Sequence, residues 1–278
     1  MLMFDGVRVD VHGLTDIGKV RQNNQDQFLI AALHKVVEIH GTSIPDVYRD
    51  RFHSGARALL LLVADGVGGR QGGDEASSLT LDAITDYVTN SMRCFYKLDE
   101  QIPLDLLAEL AATVEQSHAS VLERAGERPE RAGMATTLTM AHVLWPRVYV
   151  VHIGDSRCYH IRDSDLIQVT RDQTLVQDLV DMGALTEEDA KNSPLGNVLS
   201  QAIGHDDEIH PEITKIELEP GDGLLLCTDG LTTHLSDGEI LEHLNVAASA
   251  TEACDRLVNA AIDGGGRDNI TVVVGGFS

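Results

Sequence analysis

An α+β fold, with antiparallel sheets and helices packed outside them, is what this 278-residue sequence predicts. Three patterns carry the prediction. Val7, Val9 and Val11 alternate with Arg8, Asp10 and His12, the period-two signature of a strand with one buried face. The runs from Leu59 to Val63 and from Leu224 to Cys227 are apolar without interruption, as strands covered on both faces are. Leu107, Leu110, Val114, Val121 and Leu122 form a stripe at helical spacing, and a second stripe runs from Ala76 to Val88.

The remaining elements follow in order. Further strands are expected from Ala135 to Val143, Val148 to Ile153, Arg157 to Ile161, Ile209 to Leu218 and Ile270 to Val274. Helix starts are marked by Thr186-x-x-Asp189, Ser236-x-x-Glu239 and Ser249-x-x-Glu252, capping boxes or close relatives that satisfy the orphan amides of a first turn. The segment from His34 to Arg57 has the least pattern and is expected to be a long loop or hairpin excursion. No Pro/Gly/Ser-rich linker interrupts the chain, so residues 1–278 are expected to form one domain.

Composition excludes several functions. Lys and Arg total 21 against 44 Asp and Glu, a formal charge of −23, which disfavours a phosphate backbone or an anionic membrane as partner. The apolar run from Ala58 to Ala64 is far shorter than the ~20 residues that span a bilayer. Met1, Leu2, Met3, Phe4 and Asp5 lack the basic and apolar regions of a secretory signal. Cys94, Cys158, Cys227 and Cys254 are scattered, as in a reducing compartment, so a cytoplasmic protein is expected.

Six Asp-Gly pairs occur, at Asp5, Asp65, Asp222, Asp229, Asp237 and Asp263, and each alone reads as a turn. Asp65 and Asp229 differ because each follows an apolar run, at the end of a strand expected to be buried on both faces. A charge there is costly unless paired, hydrogen-bonded or bound to metal. Asp65 opens a Gly-rich stretch from Gly66 to Gly73, but the Gly-Lys-Ser/Thr of a Walker A loop is absent. Gln71 stands where the dinucleotide fingerprint needs its third glycine, and Asp65 would repel a bare phosphate. With a divalent ion between them the same carboxylate becomes an asset, and the glycines let a carbonyl such as that of Gly66 reach the ion. Asp26, Asp155 and Asp268 sit in comparable strand-end settings. Five such hard oxygen donors point to Mg²⁺ or Mn²⁺, and no His-Glu-x-x-His or Cys/His spacing competes.

Taken in order, Arg21-x-x-Asn24-Gln25-Asp26, Ala64-Asp-Gly-Val-Gly-Gly69, Gly133-Met-Ala-Thr-Thr-Leu138, Gly154-Asp-Ser-Arg157, Thr228-Asp-Gly-Leu231 and Arg267-Asp-Asn-Ile270 resemble the motifs of the metal-dependent type 2C serine/threonine protein phosphatases, bacterial members above all. The resemblance runs from about Val9 to Gly275. It implies a four-layer αββα sandwich, two central antiparallel sheets flanked by helices, with two Mn²⁺ or Mg²⁺ ions between the sheets and a third, weaker position. Carried over, Asp65 bridges both ions, Asp229 and Asp268 bind one, the Gly66 carbonyl binds the other with Asp26 close by, and Asp155 joins Asp229 at the third. Arg21 matches the arginine that clamps phosphate. The activity implied is hydrolysis of phosphoserine and phosphothreonine in proteins by a water or hydroxide bridging the two metals.

Departures from the pattern are specific. Gln25 replaces a glutamate, Val67 stands where eukaryotic members carry a histidine, Ala135 replaces a glycine, and Gln173 replaces a histidine within a flap-like segment from Leu166 to Gly204. Leu195-Gly196 departs from a Pro-x-Arg-Asn pattern in the same segment. Phosphoproteins, among them a Ser/Thr kinase or its targets, are the partners implied, for a monomeric enzyme. The alternative is a non-catalytic binding or regulatory module on the same fold.

Overall fold

Strand register divides the β structure of this computed structural model into two antiparallel sheets. It describes residues 2–4, 6–36, 53–67, 74–82, 104–191, 193–196, 198–205 and 208–278. The first sheet runs β3 (Asp26–Val36), β4 (His53–Val67), β6 (Leu138–Leu144), β7 (Arg147–Ile153), β10 (Glu212–Glu217). The second runs β1 (Leu2–Phe4), β2 (Val7–Asp16), β12 (Ile270–Phe277), β11 (Gly223–Cys227), β8 (Arg157–Arg162), β9 (Asp165–Gln168). One parallel contact, Phe4 beside Ala56, joins them, and the short β5 (Ala135–Thr136) caps the end of β4.

Three cores show the layering. Leu60, Leu62 and Ala64 of β4 pack with Ala76 of α1, a helix over residues 74–82, and with Leu110, Val114 and Val121 of α2 (Leu104–Gly126). Leu59, Leu61 and Val63 point the other way, into a core shared with Val9, Leu224, Leu226, Val273 and Phe277 of the second sheet. Leu225 and Cys227 face outward again, onto Leu231 of α5 (Asp229–Thr232), Ile240 of α6 (Asp237–Val246) and Leu257 and Ala261 of α7 (Ala250–Asp263). Each apolar run is thus a strand whose alternate side chains enter two different cores, which is why the run is unbroken. At ~25 cal/mol per Å² of apolar surface, burying these leucines on both faces is the main force holding the layers together. The fold is the α+β arrangement of two antiparallel sheets with helices outside.

The helix starts follow their side chains. Ser236 and Glu239 form a full capping box on α6. Ser249 caps α7 through the Glu252 amide, while the Glu252 carboxylate reaches back one residue further, to the Ala248 amide. Thr186 accepts from the Asp189 amide at the start of α4 (Glu187–Lys191), and α3 (Leu175–Asp181) is capped by Thr174.

Boundaries differ from expectation at four places. The segment from Ala135 to Val143 breaks at Thr137, which turns to exchange hydrogen bonds with the end of β4: its N–H donates to the Asp65 carbonyl and its Oγ1 accepts from the Asp65 amide. β10 begins at Glu212 because Pro211 has no N–H to give a ladder. The expected excursion from His34 to Arg57 is a continuation of β3 and β4 at its two ends, with bulges around His34; residues 37–52 lie outside the described set. The stripe from Ala76 to Val88 is helical over 74–82, and its remainder, like Cys94, lies outside the described residues. Among those described, no helix is long and apolar enough to cross a membrane.

Candidate metal centre

The sheets' loop ends meet at a cleft of about 350 Å³ lined by Arg21, Gln25, Asp65, Gly66, Val67, Asp155, Leu199, Asp229, Asp268 and Asn269. Six of the seven residues singled out in the sequence therefore line one cleft. The seventh, Asp26, opens β3 directly opposite Asp65 in the strand register and is buried behind it.

Each carboxylate is set by its element. Asp65 follows the doubly buried run of β4, two residues before the strand's end, where Thr137 holds its backbone and hydrogen-bonds onward to Ser156. Asp26 is held by Thr228, whose Oγ1 donates to Oδ2 at 2.8 Å and accepts from the Thr271 amide. Asp155 sits in the β7–β8 turn after Gly154, whose φ of +106° and packing 2.5 Å from Thr137 Cγ2, measured to where a Cβ would stand, admit only glycine. Asp229 starts α5. Gly230 behind it lets that helix end press on the β12 entrance, for a Cβ there would lie 1.9 Å from the Asn269 carbonyl oxygen. Asp268 precedes β12 and takes a two-pronged bond from Arg21, Nε to Oδ1 at 2.7 Å and Nη2 to Oδ2 at 2.5 Å.

Two side chains not assigned a role from sequence stitch these loops together. Asn269 accepts from the Gln25 amide and donates to the Ile17 and Asn23 carbonyls, fixing the Arg21 loop to the Asp268 segment. Thr228 does the same for Asp26 and β12. The motifs Arg267-Asp-Asn-Ile270 and Thr228-Asp-Gly-Leu231 carried both residues, but partners more than 200 residues distant leave no local signal.

Electrostatically the cleft is overloaded with negative charge. Burial first, then the neighbouring carboxylates, pushes Asp65 well above the usual carboxylate range. Burial and Asp229 do the same to Asp155. Asp26 is pushed up to about 7, mainly by burial and against the opposing bond from Thr228. Asp229 rises to about 6 through burial and Asp268, partly offset by a hydrogen bond with Asp65 and by Arg21. The Oδ1 atoms of Asp26 and Asp229 are buried without a hydrogen-bond partner. Among the described residues no three acidic, imidazole or thiol side chains stand as a finished metal-ligand set, and Asp268 gives both oxygens to Arg21.

Two antiparallel sheets between helical layers, with an acidic cleft at one end, define a class of phosphatase-like fold, and the sequence matches that class. The chain belongs to the protein phosphatase 2C family, whose profile matches residues 41–262. It is 41% identical over 227 residues to the serine/threonine protein phosphatase PstP of Mycobacterium tuberculosis, a match covering 81% of this chain and 41% of PstP. The chain thus spans about two-fifths of that relative's length. Protein phosphatase PhpP of Streptococcus pneumoniae is 32% identical over 267 residues, 96% of each chain. Among solved structures, the catalytic domain of PstP in complex with two manganese ions superimposes with a TM-score of 0.74 at 35% identity, covering 98% of this chain and 99% of that one.

Proposed function

We propose that this chain is a divalent-metal-dependent phosphatase that hydrolyses phosphoserine and phosphothreonine in proteins. The observation that carries the reading is the cleft itself: among the described residues, the carboxylates of Asp65, Asp155, Asp229 and Asp268, from four separate segments, line it with Asp26 buried behind Asp65 and Arg21 as the one cation of the lining. Such a cluster is costly in an apolar setting unless cations neutralise it. The two orphaned oxygens of Asp26 and Asp229 are hard donors of the kind that Mn²⁺ and Mg²⁺ prefer. Family membership and the manganese complex of PstP support the same ions. Asp65, Asp229, Asp268, Asp26 and the Gly66 carbonyl would hold two of them, Mn²⁺ or Mg²⁺, with Asp155 and Asp229 offering a third position.

Bound there, divalent ions supply charge neutralisation for the phosphoryl group and a water acidic enough to attack at neutral pH. The chain's own residues do the rest. Arg21 lies at the mouth with its side chain half exposed, and a surface ion pair such as its bond to Asp268 is worth only ~0–1 kcal/mol. A dianionic phosphate can therefore take over the planar fork, two N–H donors to two oxygens. Val67 and Leu199 are the apolar residues of the lining among those described. Among the described residues the lining holds no Ser, Thr or Cys, so water rather than a side chain is the nucleophile of this scheme. Phosphoproteins that meet a Ser/Thr kinase, or the kinase itself, would be the substrates of a cytoplasmic monomer. The charge of −23 favours targets with basic flanks.

The deciding experiment measures phosphate release from a phosphothreonine peptide with Mn²⁺. Release is expected to stop with chelator and with Asp229→Asn. Turnover that persists under either treatment overturns the metal assignment, and no turnover by the parent with Mn²⁺ or Mg²⁺ overturns the activity.

A further inference from the structure

Gln173 lies in the flap-like segment, outside the cleft lining, yet it is 3% exposed and bonded through its backbone and its side-chain oxygen. Its Oε1 accepts from the Gly154 amide at 2.9 Å, and its own N–H donates to the Gly154 carbonyl at 2.7 Å. Both bonds grip the residue immediately before Asp155. On its other side the Gln173 carbonyl accepts from the Ser200 amide at 2.8 Å, while Thr174 bridges to Leu199. Asp155 and Leu199 both line the cleft, so a single residue rivets two of its walls together.

Glycine at 154 makes the rivet necessary. Gly154 has no side chain of its own and Thr137 is packed against it, and its peptide is held from the flap side by both bonds to Gln173. The preceding residues grip the same turn further along: the His152 ring meets the Arg171 carbonyl at 2.9 Å, and Arg157 pairs with Asp172 through two bonds of 2.8 and 2.7 Å. The Gln173 side-chain oxygen goes further and takes the Gly154 amide itself, next to Asp155.

We propose that Gln173 is the positioning residue that sets Asp155 against the Leu199 wall, and thereby sets how tightly the cleft holds the divalent ion to which Asp155 contributes. This rests on the metal-centre reading above. A side chain of glutamine length with an acceptor oxygen is required. Leucine keeps the volume and leaves the Gly154 amide buried without a partner; asparagine keeps the chemistry and is one methylene short. Glutamate keeps both length and acceptor.

The test is calorimetric titration of the metal-free full chain with Mn²⁺ at pH 8, beside thermal melts in chelator. Gln173→Leu and Gln173→Asn are expected to weaken the weaker Mn²⁺ step by about 10-fold or more, as loss of a supporting partner of a metal ligand does. Gln173→Glu is expected to bind within about twofold of the parent or tighter, since it restores the acceptor and adds negative charge; that rescue separates positioning from mere packing. Leu and Asn variants that bind like the parent, or a Glu variant as weak as they are, overturn the proposal alone. A parent that takes up no Mn²⁺ overturns the metal-centre reading and this inference with it. Should the leucine variant fail to fold, the asparagine and glutamate pair still decides.

Discussion

Two regions of this chain bury aspartate, and they treat it in opposite ways. At the turn before β11, Asp222 receives three bonds from Arg162, one from the Glu219 amide and one with the His160 ring. Burial alone would raise its pKa, but these partners outweigh it and hold the carboxyl down at about 2. At the cleft Asp26 is buried and Asp65, Asp155 and Asp229 are partly buried, and all four are pushed upward. One site closes its own charge with protein donors; the other leaves the charge for something else to close. Burial of an acid is therefore no mark of function by itself. Burial without donors is.

The widest gap between the regions should appear in turnover. Asp229→Asn is expected to cut Mn²⁺-dependent phosphate release by on the order of 10³-fold, the scale on which preorganised charge acts in catalysis. Asp222→Asn should leave kcat within about twofold, because nothing it touches lies in the cleft. A phosphatase assay on both variants would break the comparison if the losses came out alike.

Stability should show the reverse order. Asp222→Ala strands Arg162 and His160 and is expected to cost about 2–3 kcal/mol, discounted for the partial exposure of Arg162. That corresponds to a melting temperature lower by roughly 4–10 °C. Asp229→Asn in chelator should melt at or above the parent, since it removes a charge that the fold does not pay for. Thermal melts of the two metal-free variants check this directly.

Proton linkage sharpens the contrast further. For Asp26 and Asp229 the folded pKa values, about 7 and about 6, lie above the ordinary 3.8. The folded state then holds protons that the unfolded state has released, so the stability they lend is full below pH 3.8 and is lost as pH rises through 6 and 7. Asp222 has the opposite sign: its contribution is full above 3.8 and is lost as pH falls through about 2. Metal-free protein should accordingly melt lower at pH 8 than at pH 5, and saturating Mn²⁺ should narrow that difference by stabilising the ionised cleft. Calorimetric scans between pH 5 and 8, with and without the ion, would sink the idea if the metal-free melting temperature rose with pH.

How far these regions could be read from sequence follows from where their partners lie. Asp65 and Asp229 were legible because each ends an apolar run, and two unbroken runs meant strands buried on both faces. The layers were legible for the same reason, and the capping boxes located the helix starts. Asp222 looked like any other Asp-Gly turn, since Arg162 and His160 lie 60 and 62 residues away and nothing local announces them. Gln173 stood out only as a departure from a family pattern. Its two bonds to Gly154 depend on the flap segment returning beneath the β7–β8 turn, a tertiary fact that no periodicity encodes. The break at Thr137 belongs with these, because a threonine in a strand-like run gives no sign that it will pair with Asp65 instead of extending the ladder.

The smallest expected effect tests whether the two regions differ in degree or in kind. Thr228 donates its hydroxyl to Asp26 and, together with Thr271, opposes the upward push that burial exerts there. Thr228→Val keeps the shape and removes the donor, moving Asp26 further from Asp222's condition. The Thr271 amide loses its acceptor as well, so a cost of about 1 kcal/mol is expected at pH 5. At pH 8 the cost should be larger, because the ionised carboxylate has lost its donor, and charge-assisted bonds are roughly twice as strong as neutral ones. A melting-temperature penalty that is equal at the two pH values would show that Thr228 serves β12 alone. A penalty that grows with pH would show that even the cleft's partial compensation of charge is built in, and stops short of the Arg162, His160 and Glu219 donors that Asp222 receives.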